Sequence, residues 1–238
     1  MCRFALALLA TAVVASAAAV PAVAQVAILD EGTFSHSVGG TRIGREDFSI
    51  RATRSAAPGG SFVAQANVLE GENRRTIVLN TDSLGGPLRF QLEAREATRI
   101  VSSVVGERDR ATWLGRVVAG ERETGREFRL AESTLIAEPG VAHHLWFILR
   151  FGQGRPVALL TPSASAVDSV RLFGIGADSV QVGARMLPAR RWELRGASDD
   201  RLRWEFWADA AGRILRARHA ESGLEALRDD PPVETPLR

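Results

Sequence analysis

From Asp30 to about Ala131, apolar and polar residues alternate one by one in short runs broken by glycine. A period of two marks strands, whereas helices repeat every 3.6 residues or so. Phe34, His36 and Val38 alternate with Thr33, Ser35 and Ser37, and Gly39-Gly40 predicts a tight hairpin turn. Phe48, Ile50 and Ala52 then alternate with Ser49, Arg51 and Thr53, and Ala57-Pro58-Gly59-Gly60 closes that hairpin. Phe62, Ala64, Ala66 and Val68 share one face, Glu70-Gly71-Glu72-Asn73 turns the chain, and Ile77, Leu79 and Thr81 return. After Gly85-Gly86-Pro87, Leu88, Phe90, Leu92 and Ala94 oppose Arg89, Gln91, Glu93 and Arg95, which predicts one buried face and one wet face. Three further strands are expected at Thr98 to Val105, Ala111 to Val118 and Arg126 to Ala131.

The texture changes at Pro139-Gly140, which opens the run Val141 to Phe151, closed by Gly152. Its length, a Pro near its start and a Gly just past its end predict a helix, although the apolar stretch Leu145 to Leu149 would also suit a buried strand. On a helical wheel Val141, Leu145, Ile148 and Leu149 share one side and His143 and Arg150 the other, so the helix should pack over a sheet. Strands resume at Pro156 to Leu160, Ser169 to Ile175, Ser179 to Arg185 and Arg190 to Leu194. Leu202, Trp204 and Phe206 alternate with Arg201, Arg203 and Glu205, and Ala210-Ala211-Gly212 turns into Ile214 to Glu221 as a closing hairpin. Gly223 to Arg228 is open to one helical turn, and Asp229 to Arg238 should form a flexible tail. The pattern is that of a mainly β chain, a strongly curved antiparallel sheet or half-barrel packed on one helix at about Val141 to Phe151.

The N-terminus changes the setting. Arg3, an unbroken small and apolar run from Phe4 to Val20, Pro21 and Ala22-Val23-Ala24 form the pattern of a secretory signal peptide over residues 1–24, with cleavage before Gln25. A single domain over residues 25–228 and a tail over 229–238 then make up the mature chain, which is expected in the bacterial periplasm or outside the cell. Cys2 precedes the apolar run and leaves with it, so neither lipid attachment at the cleavage point, nor disulfides, nor cysteine ligands or nucleophiles are expected. The isoelectric point of about 9.7 is misleading. Formal net charge is only +2 and the chain has no Lys and no Tyr, so almost nothing titrates between His and Arg and a small excess carries the value far up. No run of basic residues marks a nucleic-acid surface; Arg74-Arg75 and Arg190-Arg191 are the only adjacent basic pairs.

Candidate chemistry is sparse. His143-His144 is the pair that most resembles a metal site, but helical neighbours point about 100° apart, and zinc helices use spacings of three or four. His144 is expected at the edge of the buried face with a backbone partner, and His143 in solvent; His36 and His219 have no evident partners. There is no Gly-x-Ser-x-Gly elbow, no helical His-Glu-x-x-His and no glycine-rich phosphate loop, and the lack of Lys removes lysine chemistry. Asp168-Ser169, Asp178-Ser179 and Asp199-Asp200 read as turn residues. Neither a catalytic residue nor a cofactor is therefore expected, and a hydrolase with scattered residues is the weakest of three functional readings. Trp204 and Trp207 fall on opposite faces of one strand, so one of them leaves the main core unless a further layer covers it. An outer-membrane barrel is disfavoured because there is no Tyr for aromatic girdles, Arg or Glu lies on both sides of several strands, and the terminus is polar and Pro-rich.

The segments Arg191-Trp192-Glu193-Leu194, Trp204 to Asp209 and Gly212 to Leu215, within Leu187 to Arg216, resemble the end of a group of uncharacterised secreted bacterial β-domains. Gly40 to Ile50, with Ile43-Gly44, is similar to their first hairpin. These domains more distantly resemble the half-barrel of lipoprotein-carrier proteins, over Asp30 to Ala220 here. That resemblance implies a curved sheet wrapping a helix around an apolar cavity, here lined by Phe48, Phe62, Phe90, Leu92, Leu145, Ile148, Trp204 and Phe206. It implies no catalytic residues, and the chain has many more strands than one half-barrel needs. The expected function is non-catalytic binding of a lipid or other apolar ligand, or of an envelope protein partner, without nucleic acid and without crossing the membrane. A structural or protein-interaction module of the envelope is the alternative.

Overall fold

The computed structural model describes residues 26–53 and 60–233. Eight strands run first as a meander: β1 (Val26–Val38), β2 (Thr41–Thr53), β3 (Ser61–Glu70), β4 (Asn73–Asp82), β5 (Pro87–Glu96), β6 (Arg99–Asp109), β7 (Thr112–Ala119) and β8 (Arg122–Arg129). A short β9 (Thr134–Ile136) and helix α1 (Leu145–Phe151) follow. The chain returns through β10 (Val157–Thr161), β11 (Ala166–Val182), β12 (Arg185–Gly196), β13 (Leu202–Ala208), β14 (Ile214–His219) and β15 (Leu224–Arg228). Among the described residues these strands form one sheet, in the order β8-β7-β6-β5-β4-β3-β2-β1-β15-β14-β13-β12-β11-β10-β9. Two meanders thus meet where the first strand pairs with the last.

Local chemistry accounts for the hairpins. Gly39 and Gly40, both at positive φ (57° and 81°), make the two-residue turn between Val38 and Thr41, a conformation that side chains with a Cβ resist. Inward positions then follow the alternation: Phe48 and Ile50 of β2, Ala64, Ala66 and Val68 of β3, Ile77 and Leu79 of β4, and Phe90 and Leu92 of β5 are all buried. β-Bulges at Ile28/Asp30, Asn80/Thr81, Ala94/Arg95 and Leu194/Arg195 bend the strands, and the sheet curls until β9 comes against β5. Its end strands β8 and β9 do not pair, so the cylinder stays open. On β6, Gly106 leaves its backbone bare for the Trp113 indole; a Cβ there would lie 2.0 Å from Cζ2.

Helix α1 fills the concave side. Leu145, Trp146, Phe147, Ile148 and Leu149 are all buried, because a helix inside a curved sheet is covered on most of its circumference. The Phe62 ring meets Trp146, Phe147 and Phe151 at 5.7, 6.3 and 5.7 Å between centroids. The helix is shorter than the eleven residues expected: Val141 to His144 lie outside it, and the N–H groups of Ala142 and His143 bond to a side chain of β2 instead.

Two further expectations are corrected, and the first tail residues bond to the domain. Leu224–Arg228 is a strand, since Val38 to Phe34 of β1 offered a free edge that a helical turn would have left unpaired. Ser169 to Ile175 and Ser179 to Arg185 belong largely to one strand, β11, with a bulge between Gly174 and Gly176. The start of the tail is anchored: Asp229 N–H donates to Thr33 O (2.9 Å), and Arg213 Nη1 donates to Val233 O (2.8 Å). Residues 234–238, the proposed leader and most of the Ala57 to Gly60 turn lie outside the described residues.

β1 and β15 are also joined by charge. Arg228 donates to both oxygens of Asp30 (3.1 and 2.8 Å) and stacks on Phe48 at 5.4 Å, with both charged side chains almost fully buried. Burial pushes the Asp30 carboxyl up, and the Arg228 hydrogen bonds only partly offset it.

Ile148→Ala should cost about 2–5 kcal/mol, because it opens a void where α1 meets the sheet. Gln65→Thr on the wet face of β3 should stay within about 0.5 kcal/mol. Urea unfolding of the two variants side by side checks both values.

Candidate functional site

Apart from the Asp30–Arg228 pair, the interior holds a polar cluster around Glu46. Glu46 has the same parity on β2 as Phe48 and Ile50, so it points inward, and it is fully buried. Across the hairpin, His36 shares the inward parity of Phe34 and is also fully buried. The two Glu46 oxygens accept hydrogen bonds from Ala142 N–H (2.8 Å), His143 N–H (3.0 Å) and His143 Nδ1–H (2.7 Å). His36 lies between two carboxylates, with Nε2 3.4 Å from Glu46 and Nδ1 3.6 Å from Glu70, distances of ion pairing rather than of well-formed hydrogen bonds. Arg75 of β4 closes the chain of charges. It reaches Glu70 at 3.3 Å and donates to Pro139 O (2.8 Å) and Gly140 O (3.3 Å). Gly44 makes room for this, since a Cβ there would lie 2.0 Å from Leu69 O and 2.9 Å from Glu70 Cγ.

Electrostatics follow from the geometry. Burial alone would raise the Glu46 carboxyl, but the His143 hydrogen bond and the pairing with His36 outweigh it and hold the group far below the usual carboxylate range. Burial alone would lower His36, but contacts with Glu46 and Glu70 outweigh it and push the imidazole up to about 9. His143 is therefore not in solvent as expected; it sits behind α1, its ring stacked 5.8 Å from Phe48, because Glu46 needs its donors. His144 matches expectation with a backbone partner, accepting from Glu138 N–H at 3.1 Å on Nδ1. Burial first, and then the neighbouring His143, keep its ring well below the ordinary histidine range. The two rings lie 4.5 Å apart with different partners, and among the described residues no three His, Cys, Asp or Glu side chains are placed to hold one ion. A carboxylate with two imidazoles has the composition of an acid–base site, yet no face of it reaches solvent. What it does is clamp the segment Pro139 to His143, and with it the helix, into the concavity.

The eight residues expected to line a cavity do come together. Phe48, Phe90, Leu92, Leu145, Ile148, Trp204 and Phe206 belong to one buried cluster, and Phe62 packs against it. Sequence reasoning missed the polar cluster. The signal was present in the parity of His36 and Glu46, two ionisable residues on the apolar face of one hairpin.

Open volume lies at the C-terminal end of α1. A groove of about 480 Å³ is lined by Leu149, Gln153, Pro188, Arg190, Trp192 and Gly212, among others. A second groove, of about 520 Å³, shares Pro188, Asp209 and Ala210 with it and continues past Arg185, Leu187 and Val233. Asp209 is occupied with the turn itself, accepting from Ala211 N–H, Arg213 N–H and Arg213 Nε. Arg190 lies 4.8 Å over the Trp192 ring and, like Arg185, forms no ion pair among the described residues. Trp204 and Trp207 do face opposite ways, and the end of the β11–β12 hairpin covers the second one: Trp207 packs with Val180, Val182 and Leu215 and donates to Asp178 at 2.7 Å.

These features define a β-barrel-like domain, mainly β, whose large antiparallel sheet curves around a short helix without closing. A crystal structure with the same fold is titled as a beta-barrel-like protein of a domain of unknown function, DUF1849, from Brucella abortus. It superposes with a TM-score of 0.50 at 11% sequence identity, over 84% of this chain and 95% of that one, a likeness of fold alone. No family model and no curated protein matches the chain.

Glu46→Gln should destabilise the fold by about 3–5 kcal/mol, because it leaves His36 and the donors of residues 142 and 143 without their charge partner. The pH profile carries a second signature. His36 is raised in the fold, so its share of stability is complete below its ordinary 6.5 and is lost as the pH climbs through about 9. Glu46 is depressed, so its share is present above its ordinary 4.5 and is lost as the pH falls below that value. Denaturant midpoints measured across these two windows should show both losses in the wild type; Glu46→Gln should reduce the acid loss, leaving the share of other depressed carboxylates such as Glu70, and flatten the alkaline one.

Proposed function

We propose that this is an exported, non-catalytic binding domain of the bacterial envelope that takes an amphipathic ligand, lipid or lipoprotein-like, in the groove beside the end of α1. The observation that carries this reading is the groove at the rim of a filled interior, where Leu149, Pro188 and Trp192 lie beside Arg190. With Glu46 clamping the segment just before α1, and the helix residues in one buried cluster with Phe48, Phe90 and Phe206, the concave surface is already covered, and the apolar residues expected to line a cavity become the wall behind Leu149. The grooves outside that wall pair apolar Leu149, Pro188 and Trp192 with Arg185 and Arg190, cations without an ion-pair partner among the described residues. Apolar walls with a few placed polar groups suit a ligand having an acyl chain and an anionic head. The half-barrel resemblance of the sequence points the same way, as does the leader-like N-terminus for export.

A second reading, an envelope interaction module without a small ligand, is favoured by the same filled interior. The outward strand faces bear ion-paired ladders such as Arg191–Glu193–Arg195 with Glu205, a polar surface open to a protein partner and unlike the apolar band of a barrel facing a bilayer. Among the described residues no helix is long and apolar enough to cross a membrane.

Native mass spectrometry of the protein purified from its own envelope should reveal bound lipid-sized mass. Titration with a short-chain phosphatidylglycerol should shift tryptophan emission, and Arg190→Ala and Trp192→Ala should each weaken that binding about tenfold, ~1.4 kcal/mol. A bare chain mass with no emission change would remove the ligand reading and leave the interaction module.

A further inference from the structure

The sheet has an edge that is left open for part of one strand. β10 pairs with β11 only from Ala166 to Val170, so among the described residues β11 from Arg171 to Val182 has a ladder partner on one side alone, β12. Natural proteins blunt such edges with charge or proline. The end strand β8 is blunted in that way, with Arg122, Glu123, Arg126, Glu127 and Arg129 along it. The β11 edge is not: Arg171-Leu172-Phe173-Gly174-Ile175-Gly176-Ala177-Asp178 has charge only at its two ends and no proline, and Phe173 and Ile175 are 41% and 48% exposed.

The bulge sets what this edge can accept. Gly174 faces Trp192 and Gly176 faces Arg191, so Ile175 is the extra residue and the alternation shifts by one across it. Before the bulge, Leu172 packs on the inner core, which places Arg171 and Phe173 on the outer face. After it, Asp178, Val180 and Val182 lie on the outer face with Trp207. Backbone directions shift likewise. Ala197 N–H donates to Ser169 O at 2.7 Å, so Ser169, Arg171 and Phe173 aim their backbone groups at β12 and Leu172 aims its own outward. Beyond the bulge, Ser179 stands opposite Pro188, which has no N–H, and its own N–H is taken by Asp178 Oδ1 at 2.8 Å; Ala177 and Ser179 are the outward residues there.

We infer that a second copy of this chain adds to this edge, β11 pairing antiparallel with its counterpart across a two-fold axis between Gly174 and Ile175. In that register Arg171 meets Asp178, Leu172 meets Ala177, Phe173 meets Gly176 and Gly174 meets Ile175. Each bulky side chain stands opposite a small one, as cross-strand packing requires, and two opposite-charge pairs close the ends. Face and backbone direction agree at the flanking pairs: Leu172 and Ala177 are both inward in side chain and outward in backbone, and Arg171 and Asp178 are the reverse. The register also fits the length of the opening. The next residue, Ser179, would stand opposite Val170, where β10 begins, and there the N–H is already capped and the strand leaves to cover Trp207. Arg171 forms no ion pair within its own chain among the described residues, and an Asp178 carboxylate that serves Trp207 and Ser179 retains acceptor capacity.

Sedimentation velocity of the purified full chain should show a concentration-dependent dimer. Ile175→Lys should leave it monomeric while circular dichroism and the thermal midpoint stay unchanged. Arg171→Glu and Asp178→Arg should each be monomeric alone, because like charges face across the axis, and should form a one-to-one heterodimer when mixed. Circular dichroism confirms that Asp178→Arg, which also loses the Trp207 bond, remains folded. The register is read separately by Phe173→Cys/Gly176→Cys, which should give a covalent dimer under mild oxidation; the space around Gly176 is open, so a Cβ is accommodated. A chain that stays monomeric at all accessible concentrations overturns the inference. So does a dimer indifferent to Ile175→Lys, a mixture that does not associate, or an edge occupied only by an extended peptide of another protein. None of these outcomes depends on whether the groove beside α1 binds lipid.

Discussion

A single buried carboxylate governs how this chain closes. Glu46 sits inside an apolar sheet, where an unpaired charge costs several kcal/mol, and nothing adjacent to it in sequence relieves that cost. Relief comes from Ala142 and His143, 96 and 97 residues further along, through two backbone N–H groups and an imidazole. The carboxylate and the helix-bearing segment are therefore mutually dependent. Without the segment the charge is stranded, and without the charge the segment loses the contacts that seat His143 against Phe48 and bring α1 to Phe62. Arg75 reinforces the same docking from β4 by holding the carbonyls of Pro139 and Gly140.

This clamp explains why an open cylinder is solid inside. A curved sheet of this size would enclose a cavity if its concave side were left bare, and apolar space of that kind invites a ligand. Here the chain supplies its own occupant, and open space remains at the rim, where Leu149 near the end of the helix and Gln153 just past it stand beside Trp192 and Pro188. The outward faces follow a different logic. Arg216–Glu225, Arg191–Glu205 and Arg195–Glu193 lie part-exposed along neighbouring strands, where each pair adds little to stability but keeps the wet face polar. Such pairing also accounts for a chain rich in arginine whose net charge is close to zero.

Most of the sheet was legible because its causes are local. The alternation at Phe62 to Val68 and Leu88 to Ala94 and the paired glycines at 39 and 40 each act within a few residues, and the observed strands fall where those patterns lie. The errors share a cause as well. Leu224–Arg228 is too short for any period to identify, and its strand conformation depends on the free edge of β1 beside it. β9 carries three buried residues and pairs parallel to β10, which no alternation can reveal. Val141 to His144 has the composition of a first helical turn, but donors that a helix would have left free were claimed from outside.

The amino-acid order by itself determined which side of each strand is wet, where the chain turns, and that one apolar helical segment interrupts the β pattern. These follow from side-chain hydrophobicity and backbone sterics acting over neighbouring residues. Only the tertiary structure decided that His36, Glu46, Glu70 and His143 meet, that the concavity is filled, and that part of β11 keeps an open edge. A period-two pattern reports inside or outside and carries no information about what stands opposite. That is settled when distant segments compete for the same buried charge, the same volume and the same backbone hydrogen bonds.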